Sequence, residues 1–410
     1  MTPAVGYTEM KDSGVHWIGQ IPKEWKVQKL FRCFGLIGSG TTPKSQVEDY
    51  YNGNIPWLQS GDINGGIVKS TAKSIKEIAL TECSALHMYN APFIAVAMYG
   101  ASIANTSIVA IDACTNQACC VLSSPQNGID YKFVFYAILS AKEELLLCAR
   151  GGTQPNISQE ILKQFRLPLP SLQEQTAIAA YLDTQCAKID EIIAEAKASI
   201  EDYKQWKASI IYEAVTKGLD PDAEMKESCV QWIGQMPSTW GLKKAKNCVS
   251  ITNGSDPKTE GNIPVYGSGA ESFKTCGEYK NGPAVLIGRK GATLHIPHYI
   301  SGRYWNVDTA FDVRAKEGFS LKYYYYLACS FDYKYYISQT TLPSMTQTNY
   351  NNICLPFPPA IVQEEICRFL DNSIAKIDEL ITEKQSLISD LESYKQSLIY
   401  EVVTGKRRVC

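Results

Sequence analysis

The chain has 410 residues, 45% hydrophobic and 20% charged, a composition that fits a globular protein of two or three domains and argues against a disordered one. With 40 Lys and Arg against 42 Asp and Glu, the formal charge of −2 gives no global sign of a nucleic-acid binder. No apolar run reaches the ~20 residues that span a bilayer, and the start, MTPAVGYTEMKDSG, lacks the features of a secretion signal; a cytoplasmic protein with no membrane partner is expected.

In chain order, the first feature is HWIGQIPKEW at 16–25, carrying Trp17, Pro22 and Trp25. A stretch punctuated by Gly and Asn follows, NGNIPWLQSGDINGG, whose composition predicts loops and short strands. The apolar run PFIAVAMYG ends in a turn, as a buried strand does, and a helix is predicted over 131–147. After LPLP at 167–170, residues Gln173 to Lys217 contain neither Pro nor Gly. There Leu182, Ile189, Ile193, Ile200, Tyr203, Ile210 and Ala214 recur every 3.5 residues on average, the coiled-coil period.

The same features then come round again. QWIGQMPSTW at 231–240 repeats the first motif at six of ten positions, with Trp232, Pro237 and Trp240. GNIPV at 261–265 matches GNIPW at 53–57, and PAVLIGRKG supplies the second strand. KYYYY at 322–326 matches KFVFY at 132–136, which predicts a helix over 320–336 and makes the tyrosines packing residues rather than a stacking platform for bases. LPFP at 355–358 precedes a second long helix, whose apolar positions are Leu370, Ile377, Ile381, Ile388, Leu391, Leu398 and Val402. One unit is therefore written twice: Trp motif, variable globular part, Leu-Pro hinge, long helix. The offset between matched segments shrinks from 215 to 188, so the first copy is longer, and all its extra residues precede the helix. The shared segments read as frame, and the divergent ones as the part in which the copies differ in task. The globular parts are expected to be mixed α/β (α+β), with the two long helices pairing to bury equivalent stripes.

Catalytic and metal motifs are missing. The fourteen Cys are scattered from Cys33 to Cys410 without a C-x-x-C pair, and Cys114, Cys119 and Cys120 have no His nearby, so small buried hydrophobes are expected rather than zinc ligands. His295 and His298 flank Pro297 and lack partners for a metal site. GLIGSGTTPK has Thr41 where a phosphate loop needs Lys. No nucleophile elbow, H-E-x-x-H, methyltransferase or helicase motif occurs, and a non-catalytic chain with no metal or cofactor of its own is expected. Two divergent readers on a duplicated helical frame suit a polymer with two separated half-sites.

GSGTTP, GNIPWLQSGDI, AMYGASI, TNQACCVL and LPLPSLQEQTAIAAYLD, in that order, resemble the specificity subunit of type I restriction–modification systems over nearly the whole chain. The resemblance implies a target-recognition domain at 1–170, a spacer helix at 171–218, a second target-recognition domain at 219–358 and a spacer helix at 359–410. It implies that the spacers pair antiparallel under a pseudo-twofold axis and separate the two domains. Each domain would read one half of a bipartite site in double-stranded DNA. Two methylation subunits would carry S-adenosylmethionine chemistry, and two restriction subunits ATP- and Mg-dependent translocation and cleavage. The sequence departs from the pattern at Ala104 and Asn105, where the family often has Gly and Lys; a phosphate-contacting lysine is not expected there.

Phosphate contacts supply affinity and base contacts supply sequence. Candidate phosphate contacts are Lys44 and Arg150 in the first domain, and Lys258, Arg289 and Lys290 in the second. Candidate base readers are Gln59, Asp62, Asn64, Asn116 and Gln117, then Tyr266, Arg289, Asp308 and Gln347; of these, Asp62 and Asn64 lie in a Gly-rich turn that itself favours a structural role. The competing reading is a scaffold that does not bind DNA, in which a duplicated coiled coil presents two protein-binding domains. An enzyme using Cys114, Cys119 or Cys120 ranks well behind both.

Overall fold

The two larger sheets of the first copy use the strands β1 (Phe34–Gly38), β2 (Tyr51–Leu58), β3 (Ile67–Val68), β4 (Ser74–Ile75), β5 (Phe93–Ala97), β6 (Thr106–Val109), β7 (Cys114–Thr115) and β8 (Cys119–Pro125). They build one sheet of order β1-β8-β5-β6-β3 and another of order β7-β2-β4. Strand β5 is the predicted apolar run, buried at all five positions because it lies mid-sheet with both faces covered. Its side chains alternate: Ile94 and Val96 join one core with Phe133, Val134 and Ala137, while Phe93, Ala95 and Ala97 join another with Leu58 and Val109.

The computed structural model describes residues 7–151, 155–269, 271–337 and 343–409. The chain divides into two units, Met1–Ala194 with Ile388–Cys410, and Glu195–Leu387. In the first unit the predicted 131–147 helix is two helices, α1 (Tyr131–Ser140) and α2 (Lys142–Leu147). The break falls at Ala141, whose N–H bonds Ile138 O instead of the carbonyl four residues back. Asp130 starts α1 by accepting from the N–H groups of Lys132 and Phe133. A short helix, α3 (Gln159–Gln164), leads to the long α4 (Leu172–Lys217).

The second copy repeats this plan with β9 (Val249–Asn253), β10 (Ile263–Tyr266), β11 (Ser272–Cys276), β12 (Lys280–Asn281), β13 (Ala284–Gly288), β14 (His298–Ile300), β15 (Arg303–Asn306) and β16 (Ala310–Ala315). The sheet orders are β9-β16-β13-β14 and β11-β10-β15-β12. Strand β13 is buried throughout, like β5. The predicted 320–336 helix is likewise interrupted: α5 (Leu321–Cys329) is followed by a separate turn at Tyr333–Tyr336. Tyr323, Tyr324 and Tyr326 are buried in the core, as packing residues should be. Helix α6 (Gln347–Asn352) then precedes the long α7 (Ala360–Val403).

Each long helix starts in one unit and ends in the other. In the first unit, Leu182, Ile189 and Ile193 of α4 share a core with Ile388, Leu391 and Leu398 of α7, and Asp190 pairs with Lys395 at 2.6 Å. In the second unit, Ile210 and Ala214 share a core with Leu370, and Lys207 pairs with Asp378 at 2.7 Å. Both units thus join the first half of one helix to the second half of the other, as an antiparallel pair does. The two ion pairs are the same pair under the offset of 188. Ile200 and Ile377 are buried, whereas Tyr203 and Ile381 are half-buried.

The globular part of each unit is clamped to its helix by the same bonds. Gln175, fully buried, accepts from Asp130 N and donates to Pro170 O and Gly128 O; Gln363 accepts from Ser320 N and donates to Pro358 O and Gly318 O. Asp183 receives Lys132 Nζ at 2.7 Å and Tyr136 OH at 2.8 Å, and Asp371 receives Lys322 Nζ at 2.6 Å and Tyr326 OH at 2.5 Å. Amide, acid, lysine and tyrosine recur at corresponding positions, so the frame is duplicated in its hydrogen bonds as well as in its letters.

Candidate nucleic-acid interface

In the second unit, the turn after β13 carries Arg289 and Lys290. Their N–H groups bond Thr309 O, and Lys290 forms a bridge with Ser344 just ahead of α6. This fold-back brings residues almost sixty positions apart into one cleft of about 370 Å³, lined by Asn253, Arg289, Lys290, Phe311, Thr346 and Gln347 among others. Arg289 is half-exposed; its guanidinium donates to Asp308 O at 3.3 Å, lies 3.9 Å from Asp308 Oδ2 and sits 6.0 Å from the Phe311 ring. Gln347 spends its amide N–H on Ile251 O at 2.6 Å. Four of the sequence candidates, Arg289, Lys290, Asp308 and Gln347, therefore meet at one place. Two cations and polar groups in one recess can hold an anionic oxygen and orient a base edge beside it.

The same place in the first unit has different chemistry. The bridge between Tyr99 and Asn156 matches that between Lys290 and Ser344, and buried Met98 stands where the second copy has Arg289. Gln159, the counterpart of Gln347, donates to Ser39 Oγ at 2.7 Å. Ala104 has φ of 63°, a left-handed conformation that explains a preference for Gly there. The lysine missing from the sequence at 105 is nevertheless supplied in space: Lys142 Nζ donates to Asn105 Oδ1 at 2.9 Å, so a cation does stand beside this element. Sequence spacing gave no signal for it, because Lys142 arrives on α2.

The remaining candidates are dispersed. Asp62 closes its loop: Oδ2 accepts Gln59 N and Oδ1 accepts Ala72 N. Asn64 Oδ1 accepts Gly66 N, and Asn116 Oδ1 accepts Ala118 N, so both build turns. Gln117 is exposed and accepts from Thr42 Oγ1. Gln59 is half-buried and precedes a 3-10 turn at Ser60–Asp62. Lys44 and Arg150 are exposed, Arg150 in a backbone bridge with Asn156. In the second unit Lys258 is exposed, while its N–H and that of Thr259 bind the Glu278 carboxylate, which with the Thr259 hydroxyl holds Glu278 down at about 2. Tyr266 is half-buried against the His298 ring at 5.1 Å, and burial lowers the pKa of His298.

The glycine-rich stretch near Gly40 is structural. A Cβ at Gly40 would lie 1.9 Å from Thr115 O, so the residue is Gly to let the segment after β1 approach β7. Three candidate thiols are buried: burial pushes Cys114 up to about 11, and Cys119 and Cys120 to about 12. They stay protonated near neutral pH, which removes their nucleophilic form. Among the described residues no group of three or more His, Cys, Asp or Glu is placed to hold a metal ion, and no helix is long and apolar enough to cross a membrane.

The type I restriction modification DNA specificity domain matches at residues 22–202 and again at 239–389. The specificity subunit of the MjaIX type I restriction enzyme of Methanocaldococcus jannaschii is 24% identical, over 98% of this chain and 97% of its own. That of the EcoprrI enzyme of Escherichia coli is also 24% identical, over 86% of this chain and 89% of its own. Among solved structures, a chain described with complex assembly and conformational transition of the type I R-M system aligns with TM-score 0.73 at 15% identity, over 93% of this chain and 98% of that one. The HsdS subunit of Thermoanaerobacter tengcongensis aligns with TM-score 0.51 at 15% identity, over 94% of this chain and 98% of its own.

Proposed function

This chain belongs to the type I restriction modification DNA specificity family, and from that membership we infer that its two units each read one half of a divided DNA site. It is a sequence-specific DNA-recognition subunit that targets a restriction–modification complex. In the finer reading, two methylation subunits and two restriction subunits bind it in the cytoplasm. Those partners carry S-adenosylmethionine, ATP and Mg, and this chain takes no catalytic step itself. The burial that keeps the Cys114, Cys119 and Cys120 thiols protonated supports that division of labour at these three positions.

One observation carries the reading. The bonds that clamp each globular part to its helix occur twice, whereas the residues at the corresponding turn differ: Arg289 and Lys290 in one unit, Met98 and Tyr99 in the other. A frame held constant around divergent surfaces is what two readers of different half-sites require. Arg289, Lys290, Lys142, Lys44, Arg150 and Lys258 serve as phosphate contacts in this reading, and Asp308, Gln347, Gln117 and Tyr266 face bases.

The test is the host methylome with and without this gene. A bipartite adenine-methylated motif that disappears on deletion is expected. A motif unchanged by deletion would overturn the assignment and leave the scaffold reading standing.

A further inference from the structure

The hairpin of β10 and β11 carries an irregularity with a purpose. Val265 pairs with Lys274 and Tyr266 with Ser272, so Phe273 is the extra residue of a bulge. A bulge leaves its residue outside the ladder and re-aims the side chain. Here it turns a phenylalanine outward: Phe273 is 60% exposed, on a strand at the edge of its sheet.

A short chain of contacts leads from it to residues of the cleft. The Phe273 ring lies 3.7 Å from the position of a Cβ on Gly267, and that position is 2.9 Å from Thr309 Oγ1. Thr309 O in turn accepts the N–H groups of Arg289 and Lys290. Lys274 Nζ is 5.5 Å from the ring. An exposed apolar ring is thus set beside a lysine that suits a phosphate, on the outer hairpin of a four-stranded sheet, whose edge pair of strands offers the two-stranded ribbon that the major groove admits. Gly267 keeps the flank of the ring open. In the first copy Gln59 stands at the place of Gly267, and the offset between copies drops from 208 to 191 across this region, so the feature belongs to one half-site alone.

We propose that Phe273 is a specificity-determining residue that seats its ring on the 5-methyl group of a thymine in the second half-site. The inference rests on the DNA-recognition reading above. Thymine is the base that offers an apolar group in the major groove, and Phe is among the side chains that meet it. Arg289 and Lys290 hold the flanking phosphates and fix the register of the ribbon on the duplex.

The test uses the chain assembled with its methylation partners and a duplex bearing its methylated motif. Each thymine of the half-site read by the second unit is replaced in turn by deoxyuridine, which lacks only the methyl group. One position is expected to weaken binding about fourfold, the loss for one methyl group taken out of contact. Phe273→Ala is expected to weaken binding about tenfold and to abolish discrimination between thymine and uracil at that position, while Phe273→Leu retains part of it. A Phe273→Ala complex with unchanged affinity and unchanged discrimination would overturn the proposal, as would a half-site with no thymine on either strand. Equal weakening by Phe273→Ala on thymine and uracil duplexes would also overturn it, and would favour a wedge between base steps. In each of these cases the motif itself survives; only its absence would count against the DNA-recognition reading.

Discussion

Replacing Gln175 by Leu keeps the volume of a fully buried side chain and removes only its amide. Three backbone groups lose their partner: Asp130 N at 2.9 Å, Pro170 O at 2.9 Å and Gly128 O at 3.0 Å. Each such bond contributes about 1 kcal/mol net, and a group left buried and unpaired costs about 1–3 kcal/mol. Pro170 is buried, whereas Gly128 is exposed and recovers water, so the sum is about 3 kcal/mol. That corresponds to roughly a hundredfold in the opening equilibrium of the segment that starts α1. Hydrogen exchange on the peptide spanning 126–140, with urea denaturation of the full chain, measures it. The Asp130 amide should exchange about a hundredfold faster. Gln363→Leu should do the same to the Ser320 amide, since its bonds are equivalent. A change below about threefold at either site would refute the claim that these two amides clamp globular part to helix.

Arg289→Ala in the assembled complex should weaken DNA binding at every sequence tested and lower the slope of log affinity against log salt by about 1, as the loss of one phosphate contact does; an unchanged slope excludes that contact. Lys207→Glu should cost about 0.5–1 kcal/mol and be largely restored by Asp378→Lys, because the pair is partly exposed at 2.7 Å; no coupling in the double-mutant cycle would contradict it. Glu278 has its pKa lowered to about 2 by bonds from Thr259 Oγ1 and the N–H groups of Lys258 and Thr259. A depressed carboxyl contributes above its unfolded pKa and loses its contribution as pH falls through the folded one. The loop at 258–259 should therefore stay fixed at pH 5–7 and release between about pH 4 and pH 2, read from amide shifts, and Glu278→Gln should release it at neutral pH.

What the sequence revealed depended on the range of the interaction. Helix α4 was legible because its apolar period is local and Pro and Gly are absent from Gln173 to Lys217. Strands β5 and β13 were legible as short apolar runs closed by turns. The break at Ala141 was not, because nothing in FYAILSAKEEL lacks helix propensity; it shows only in the backbone, where Ala141 N–H bonds Ile138 O. At the interface, Arg289 and Lys290 were visible as charges in a turn, but their meeting with Gln347 depends on the bridge to Ser344. Lys142 beside Asn105 and the bulge at Phe273 depend on packing and on strand register, neither of which composition encodes. Asp62 shows the reverse: its Gly-rich turn favoured a structural role from local sequence alone, and both its oxygens are bound to the backbone.

The two Trp motifs explain how a linear duplication becomes a closed frame. Helix α4 ends at Gly218, at φ 80°, where a Cβ would lie 3.1 Å from the Trp240 ring. Helix α7 ends before Gly405, at φ 71°, where a Cβ would lie 2.3 Å from Pro22 Cδ and 3.2 Å from the Trp25 ring. Both glycines terminate a helix in the left-handed conformation and leave room for a Trp motif. Around them, Tyr212 OH donates to Ile233 O, and Tyr400 OH donates to Trp17 O. The first contact joins neighbours in sequence, but the second joins residues nearly four hundred positions apart, with Lys406 Nζ on Ile18 O reinforcing it. Each Trp motif is thus seated by the helix that precedes it in cyclic order, and the first copy is seated by the last helix. Without that second contact the first motif would expose the faces of Ile18 and Trp25, now fully buried. The frame needs both copies because each finishes the fold of the other, which leaves the loops between the markers free to diverge into two different readers.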